Sequence, residues 1–463
     1  MATTEQYDAI VIGAGQAGGP LSSALAQAGK KTALIEREHV GGTCINEGCT
    51  PTKTMVASAR VAYLARRGAD YGVHTGPIEI DMSVVRKRKR DIVTSFRSGG
   101  QSRLEKTEGL DLIMGEGSFV APKTIEVRLP SGELRRLSAD LIFLNAGDRP
   151  SAPQINGADT VEFLNSTSIM ELDRVPEHLL VLGGGYVGLE FGQMFRRFGS
   201  QVTIVQRGKQ LLVREDPDIA DEVARILRDD GVNVLLQTSA IKVARSSNGG
   251  IQLTVRSSEG ERTITGSHIL GAAGRQPNSD SLHLDVAGIA ANKHGYIDVN
   301  DRLETNVPGI YALGDVKGGP AFTHMSYDDF RIIRTNLIEH GSASIKDRTL
   351  LYTVFIDPQL GRVGLTETEA REQGRKIKVA KMPMSYVARA LEVDEARGVM
   401  KAIVDAEDKQ ILGAAVLGLE GGEIMSMLEI AMLGKLPYTT LRDGVFAHPT
   451  LAESLNNLFG SFE

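Results

Sequence analysis

The chain reads as an α/β protein: two doubly wound, parallel-sheet units followed by an α+β region. Three observations predict this. A strand–glycine turn–helix–strand unit opens the sequence, with 7-YDAIVI-12, 13-GAGQAG-18, an Ala-rich helix to about Gln27, and 32-TALIE-36. The same unit returns as 179-LLVLG-183, 183-GGGYVG-188, an amphipathic helix and 201-QVTIVQ-206. Beyond about residue 345 this alternation gives way to closely spaced strands and late helices.

Composition narrows the class. The 463 residues carry 52 Lys and Arg against 58 Asp and Glu, a net charge of −6, with 41% hydrophobic and 24% charged residues. That excludes a mainly disordered chain. Two cysteines exclude a disulfide-stapled scaffold. Mild acidity gives no electrostatic reason to expect a nucleic-acid partner. No apolar run reaches the roughly 18 residues of a membrane span. The first apolar run lacks a basic flank and reads as a strand, so a cytoplasmic enzyme is expected.

The remaining elements follow in order. Gly41, Gly42 and two cysteines lead into a helix near Thr52–Arg67. Residues 84–108 form a polar helix whose basic run, Arg86 to Arg90, is expected to be a solvated face. Residues 110–145 read as a small antiparallel insert that returns to the parent sheet through 139-ADLIFLNAG-147. Strands are expected near 232–236, 250–255, 262–270, 310–315, 351–357, 399–405 and 411–418. Helices are expected from near Thr366, over 421–433, and after Pro449. The domains are then 1–150 with 272–345, 151–271, and 346–463.

Each GxGxxG motif follows a strand and opens a helix, the context that a dinucleotide turn requires. Gly13 permits the tight turn, Gly15 admits a pyrophosphate and Gly18 allows close helix–strand packing; Gly183, Gly185 and Gly188 repeat the set. Unpaired N–H groups at each helix start face the phosphates. Glu36 lies 23 residues after Gly13 and can accept both hydroxyls of an unphosphorylated ribose. Gln206 lies 23 residues after Gly183, is uncharged, and is followed by Arg207. A 2′-phosphate would be repelled by Glu there and attracted by Arg. The first site therefore suits FAD or NAD, and the second NADPH over NADH, with Arg214 a possible further contact.

The two cysteines, Cys44 and Cys49, stand in 41-GGTCINEGCTPTK-53. A zinc site would need further ligands nearby. Two buried free thiols and a redox pair both remain open on spacing alone. Cys49 lies near a helix start, where N–H dipoles stabilise a thiolate, and Pro51 supports that placement.

The segment GGTCINEGCTPTK resembles the active-site signature of the flavoprotein disulfide reductases, which include glutathione reductase, dihydrolipoamide dehydrogenase and mercuric reductase. GAGQAG with Glu36, GGGYVGLE, AAGRQPN, YALGD and AHPTLAE occur in the matching order over nearly the whole chain. The resemblance implies two Rossmann-like FAD/NAD(P)-binding domains and a C-terminal α+β dimerisation domain. It implies that Cys49 is the flavin-proximal, charge-transfer thiolate and Cys44 the interchange thiol, the two forming a disulfide when oxidised. Lys53 would lie near flavin N5 and pair with Glu190. Tyr186 would cover the nicotinamide pocket, and Asp315 would hold the ribityl chain. Gly42, Thr43, Gly147, Gly274 and Gly314 would line the cofactors. His448, oriented by Glu453, would be the acid–base group, reaching the active site of the other protomer in a homodimer.

Departures from relatives narrow the substrate. No cysteine follows Cys49, whereas mercuric reductases carry a C-terminal pair. Phe446 stands where dihydrolipoamide dehydrogenases have a second histidine, and Gln206 where they have an acid. The segment 322-FTHMSYDDFR-331, with Thr323, His324 and Met325, resembles a branch linked to oxidant and metal stress. The expected activity is electron transfer from NADPH through FAD to the dithiol, then to a small disulfide or a metal ion such as Cu(II) or Hg(II). The alternatives are an NAD-using dihydrolipoamide dehydrogenase type and a soluble transhydrogenase or quinone reductase.

Overall fold

The computed structural model describes residues 4–247, 249–346 and 348–462. It resolves into two compact units. The first comprises Met1–Thr54, Val84–Ser151 and Gly274–Arg348; the second comprises Met55–Ser83, Ala152–Ala273 and Thr349–Glu463.

The first unit is built on a five-stranded parallel sheet in the order Ile310–Ala312, Leu141–Leu144, Ala9–Ile12, Thr32–Glu36, Leu110–Met114. Its inner strands are continuous apolar runs because both faces are covered. One face packs Val11, Leu34 and Phe143 against Leu21 and Leu25 of α1 (Gly18–Gln27). The same cluster includes Phe330 and Ile333 of α7 (Thr323–Leu337). The other face packs Ile10, Ile35 and Ile142 against Phe119, Ile125 and Leu137 of an antiparallel insert. That insert pairs Glu116–Ala121, Thr124–Arg128 and Leu134–Ser138, with Thr4–Gln6 at its edge. After the Thr32–Glu36 strand come α2 (Gly42–Asn46), α3 (Cys49–Arg66), whose residues from Met55 belong to the second unit, and α4 (Met82–Glu105).

The second unit has a four-stranded parallel sheet in the order Asn233–Leu235, Gln201–Val205, His178–Leu182, His268–Gly271. Helices α5 (Tyr186–Phe198) and α6 (Pro217–Asp229) supply its crossovers. A three-stranded meander, Ser239–Arg245, Ile251–Ser257 and Gly260–Gly266, packs beside it through Val243, Leu253 and Val255. Its C-terminal part is a five-stranded antiparallel sheet in the order Leu351–Val354, Gln359–Gly364, Ile411–Gly418, Val399–Asp405, Ile377–Pro383. Short helices α8 (Glu367–Glu372) and α9 (Ala388–Glu392) precede and follow the Ile377–Pro383 strand. Helices α10 (Gly421–Leu433), α11 (Tyr438–Asp443) and α12 (Ser454–Gly460) follow the last strand. Leu428, Leu455, Leu458 and Phe459 close this core.

Several boundaries differ from expectation for physical reasons. The helix expected near Thr52 begins at Cys49 itself. The strand expected over 262–270 breaks at Ser267 into an antiparallel hairpin arm and a parallel sheet strand. The strand expected to Asp315 stops at Ala312, because Gly314 turns the chain at φ +64° into a 3₁₀ segment. The basic run in α4 is not wholly solvated. The helical period carries Lys89 inward to 4% exposure, and Arg88 Nη1 donates to Thr54 O at 2.7 Å.

Candidate active site

The first glycine turn is a backbone-to-backbone fit. Gly13 has φ +99°, and a Cβ there would lie 2.3 Å from Asn145 O; one on Gly18 would lie 2.0 Å from Gly13 O. Asn145 Nδ2 donates to Gly13 O at 3.1 Å and so fixes the turn from the neighbouring strand end. Glu36 is tied into the same frame and keeps acceptor capacity to spare. Its Oε2 accepts from Ala14 N at 2.8 Å, and its Oε1 accepts from Glu38 N at 2.8 Å and His39 N at 3.2 Å. Gly42 continues the wall, since a Cβ on it would meet Gly15 Cα at 2.8 Å.

The cysteines stand against this wall. Both are free thiols, Cys44 on α2 and Cys49 as the first residue of α3. Cys49 is exposed, and its Sγ is 3.2 Å from Thr323 Oγ1. The hydrogen bond that Cys44 donates to Cys49 and its own burial push the Cys44 thiol well up; Thr323 and Lys53 pull the other way. Cys44 thus holds its proton more tightly than a free thiol does. Thr43 is exposed and Lys53 half-buried on the same two helices.

A carboxyl cluster sits at the other end of the wall. Burial raises Asp315 to about 7, the Asp148 charge adds to this, and Arg275 opposes it. Asp148 is held by Arg275 Nε at 2.7 Å. Asp329, fully buried on α7, accepts from Gly314 N at 2.8 Å and pairs with Arg348 Nη2 at 2.7 Å and Lys317 Nζ at 3.4 Å. Gly147 and Gly314 both adopt positive φ, and no atom stands within 4 Å of where a Gly147 Cβ would lie. Bare backbone at Gly13, Gly15 and Gly147, a helix start, and a buried carboxyl near neutrality are the parts that a dinucleotide with a polyhydroxyl chain needs. The residues present therefore fit FAD.

In the second unit the turn repeats. Gly183 has φ +115°, and Cβ atoms on Gly183 and Gly188 would lie 2.5 Å from Ala272 O and 2.2 Å from Gly183 O. Gln206 occupies the place that Glu36 holds in the first. Its Oε1 accepts from Gly184 N at 3.2 Å, and its Nε2 donates to Gln210 O at 3.0 Å. Gly185 and Arg207 are exposed, and Tyr186 is half-buried at the start of α5. Gly274, in the first unit, has φ +152° and is exposed. Glu190, buried on α5, accepts from Phe355 N at 2.9 Å. Near the C-terminus, His448 Nδ1 lies 2.8 Å and 3.0 Å from the two Glu453 oxygens. Glu453 accepts, so Nδ1 carries the proton and Nε2 is left to act as base. His448 is 66% exposed at its side chain.

Asn145, Asp148 and Asp329 were not among the residues the sequence singles out. The signal was present in outline: a polar residue closing a buried strand, and acids inside the α7 segment.

Residues 7–329 match the pyridine nucleotide-disulphide oxidoreductase family, and residues 351–459 match its dimerisation domain. The chain is 40% identical to the pyridine nucleotide-disulfide oxidoreductase RclA of Escherichia coli over 458 residues, covering 98% of this chain and 99% of that protein. It is 35% identical to a mercuric reductase of Bacillus cereus, covering 97% of this chain and 70% of that protein. A dihydrolipoyl dehydrogenase of Bacillus subtilis is 31% identical, with 97% and 94% covered. A solved structure, the Cu(II) complex of the HOCl-induced flavoprotein disulfide reductase RclA from Escherichia coli, superposes with a TM-score of 0.89 at 39% identity over 99% of both chains. No helix among the described residues is long and apolar enough to cross a membrane. The chain belongs to the pyridine nucleotide-disulphide oxidoreductase family and is an oxidoreductase of the flavoprotein disulfide reductase kind.

Proposed function

We propose that the chain is an FAD-dependent NADPH oxidoreductase whose Cys44–Cys49 pair reduces a small disulfide or a metal ion. The observation that carries this reading is the cysteine pair: two hydrogen-bonded thiols, one opening a helix, with a threonine hydroxyl on its sulfur. Bound FAD supplies hydride acceptance from the nicotinamide and delivery of two electrons to sulfur. Gly13, Gly15, Gly18, Glu36, Gly42, Thr43, Gly147, Gly314 and Asp315 would hold it, and Lys53 would supply the cation that favours its reduced form. Gly183, Gly185, Tyr186, Gly188, Arg207 and Gly274 receive NADPH.

In the acceptor half of the reaction His448 Nε2 takes the Cys44 proton, and the Cys44 thiolate attacks one sulfur of the substrate disulfide. That S–S bond breaks, and the leaving thiolate takes a proton from His448. Cys49 then attacks Cys44, the mixed disulfide breaks, and the second thiolate leaves. The pair is oxidised by two electrons and the substrate reduced by two. We assign this proton to His448 of the partner subunit in a cytoplasmic homodimer, with Glu453 fixing its tautomer. A metal acceptor is the second reading, favoured by the related structure that holds Cu(II). Two Cu(II) ions would take the pair's two electrons.

The test is NADPH oxidation against glutathione disulfide, lipoamide, Cu(II), Hg(II) and quinones, in wild type and Cys44→Ser. Disulfide turnover should vanish in the variant while direct quinone reduction persists. Undiminished disulfide reduction by Cys44→Ser would sink the reading. A higher kcat/KM with NADH than with NADPH would overturn the coenzyme assignment.

A further inference from the structure

The second unit contains a cleft of about 1290 Å³ that none of the assigned site residues lines. It opens between the ends of α3 and α5, the α6 helix, and the segment from Lys381 to Val399. Tyr63 stands in its wall with the guanidinium of Arg197 3.9 Å from the ring centre and those of Arg67 and Arg397 at 5.1 and 5.7 Å. Such packing holds cationic planes in fixed orientation.

Charge accounting shows what the cleft lacks. Every carboxylate in its lining is engaged. Asp230 takes Arg397 at 2.7 Å and Arg197 at 3.5 Å, and Glu395 takes Arg397 at 2.7 Å. Asp394 takes Arg67, Glu222 and Asp229 share Arg225, and Asp218 holds Lys381 and Lys401. The converse does not hold. Among the described residues, Arg66 and Arg196 meet no carboxylate. Arg66 Nη1 donates to Arg197 O, while Arg196 donates to Asp230 O at 3.0 Å and Ser200 O at 3.3 Å. Arg196 lies in the last turn of α5, and Arg66, the last residue of α3, reaches it by bonding Arg197 beside it. The Nε of Arg197, a side chain only 5% exposed, is buried there without a hydrogen-bond partner. Two guanidinium forks with donors to spare therefore line one cleft, beside a buried Arg197 N–H that no protein atom accepts.

We propose that this cleft binds a phosphate-bearing anion, with Arg66 and Arg196 as its oxyanion ligands. Planar forks arriving from two elements suit a tetrahedral dianion that accepts several bonds at once. The volume admits more than a bare phosphate, so a pyrophosphate or phosphomonoester group on a larger body is the class of ligand. If these arginines only neutralise the carbonyl end of α5, replacing them would lower stability and leave anion binding unchanged.

The test is calorimetric titration of the FAD-loaded protein with inorganic pyrophosphate at low ionic strength, with NADP⁺ saturating so that the dinucleotide turn is filled. One site is expected, weakening as salt rises. Arg66→Gln and Arg196→Gln should each weaken it about tenfold, and the double variant should abolish it. Arg389→Gln, on α9 and outside the cleft, should bind as wild type does. Melting temperature and FAD content of each variant separate loss of the site from loss of fold. Absence of binding with wild type, or undiminished binding by a folded double variant, overturns the proposal. Binding that NADP⁺ abolishes also overturns it, because the anion then occupies the coenzyme site.

Discussion

Thr323 is the residue nearest the chemistry that a strand-and-turn reading of the sequence could not place against Cys49, 274 positions away. Its hydroxyl favours ionisation of the cysteine pair. A hydrogen bond to a charged group is worth about 1.5–3 kcal/mol, so Thr323→Val should move the pair's first titration up by about one pH unit or more. The long-wavelength thiolate-to-flavin absorbance, followed against pH, reads this directly; an unmoved midpoint would remove Thr323 from the site. Asp315 makes a second prediction at this scale. Its folded pKa, about 7, lies above the ordinary carboxylate value of 3.8, so the folded state holds a proton that the unfolded state releases. The FAD-free protein should lose stability as pH rises from about 4 to about 7. Asp315→Asn keeps the neutral form throughout. Its FAD-free protein should melt above wild type at pH 8 and level with it near pH 4, in paired melting curves; equal melting at both would refute the shift.

At the scale of elements, what was legible in the sequence was what is local. Both glycine turns, the strands beside them and the α10 helix carry their patterns within a dozen residues, and these stand where the sequence puts them. Thr366 is one case where a local signal fixes a boundary. Its side chain accepts from Glu369 N while Glu369 reaches back to Thr366 N, a full capping box at the start of α8. Thr366→Ala should cost about 1 kcal/mol in denaturant midpoint with turnover unchanged. What the sequence hid is long-range. Asp329 was invisible as a support because its partners, Gly314, Lys317 and Arg348, become its neighbours only when α7 folds back on the sheet. Asn145 acts on Gly13 across 132 residues. The strand over Ile377–Pro383 was missed because its partner, Val399–Asp405, supplies the apolar environment that its own lysines obscure.

For the whole molecule, the dimerisation domain leaves an apolar stripe in water. Ile430 and Leu433 of α10 are each 68% exposed, Met427 is 39% exposed, and Val445 is fully exposed. A patch of this kind marks a surface that another chain covers. Ile430→Asp with Leu433→Asp should give a monomer by light scattering. If His448 serves the other protomer, disulfide turnover should fall by about 10²–10⁴ while flavin reduction by NADPH is spared. A monomer with full turnover would place the acid–base group in its own chain. One consequence follows from the three separated segments of the first unit. The Leu141–Leu144 strand has no outer neighbour until Ile310–Ala312 arrives, and α7 completes the core only with Phe330 and Ile333. At about 5–20 residues per second, the ribosome leaves that half-built sheet bare for roughly 10–40 s. Heterologous production should therefore depend on chaperone capacity more than on the stability of the finished enzyme.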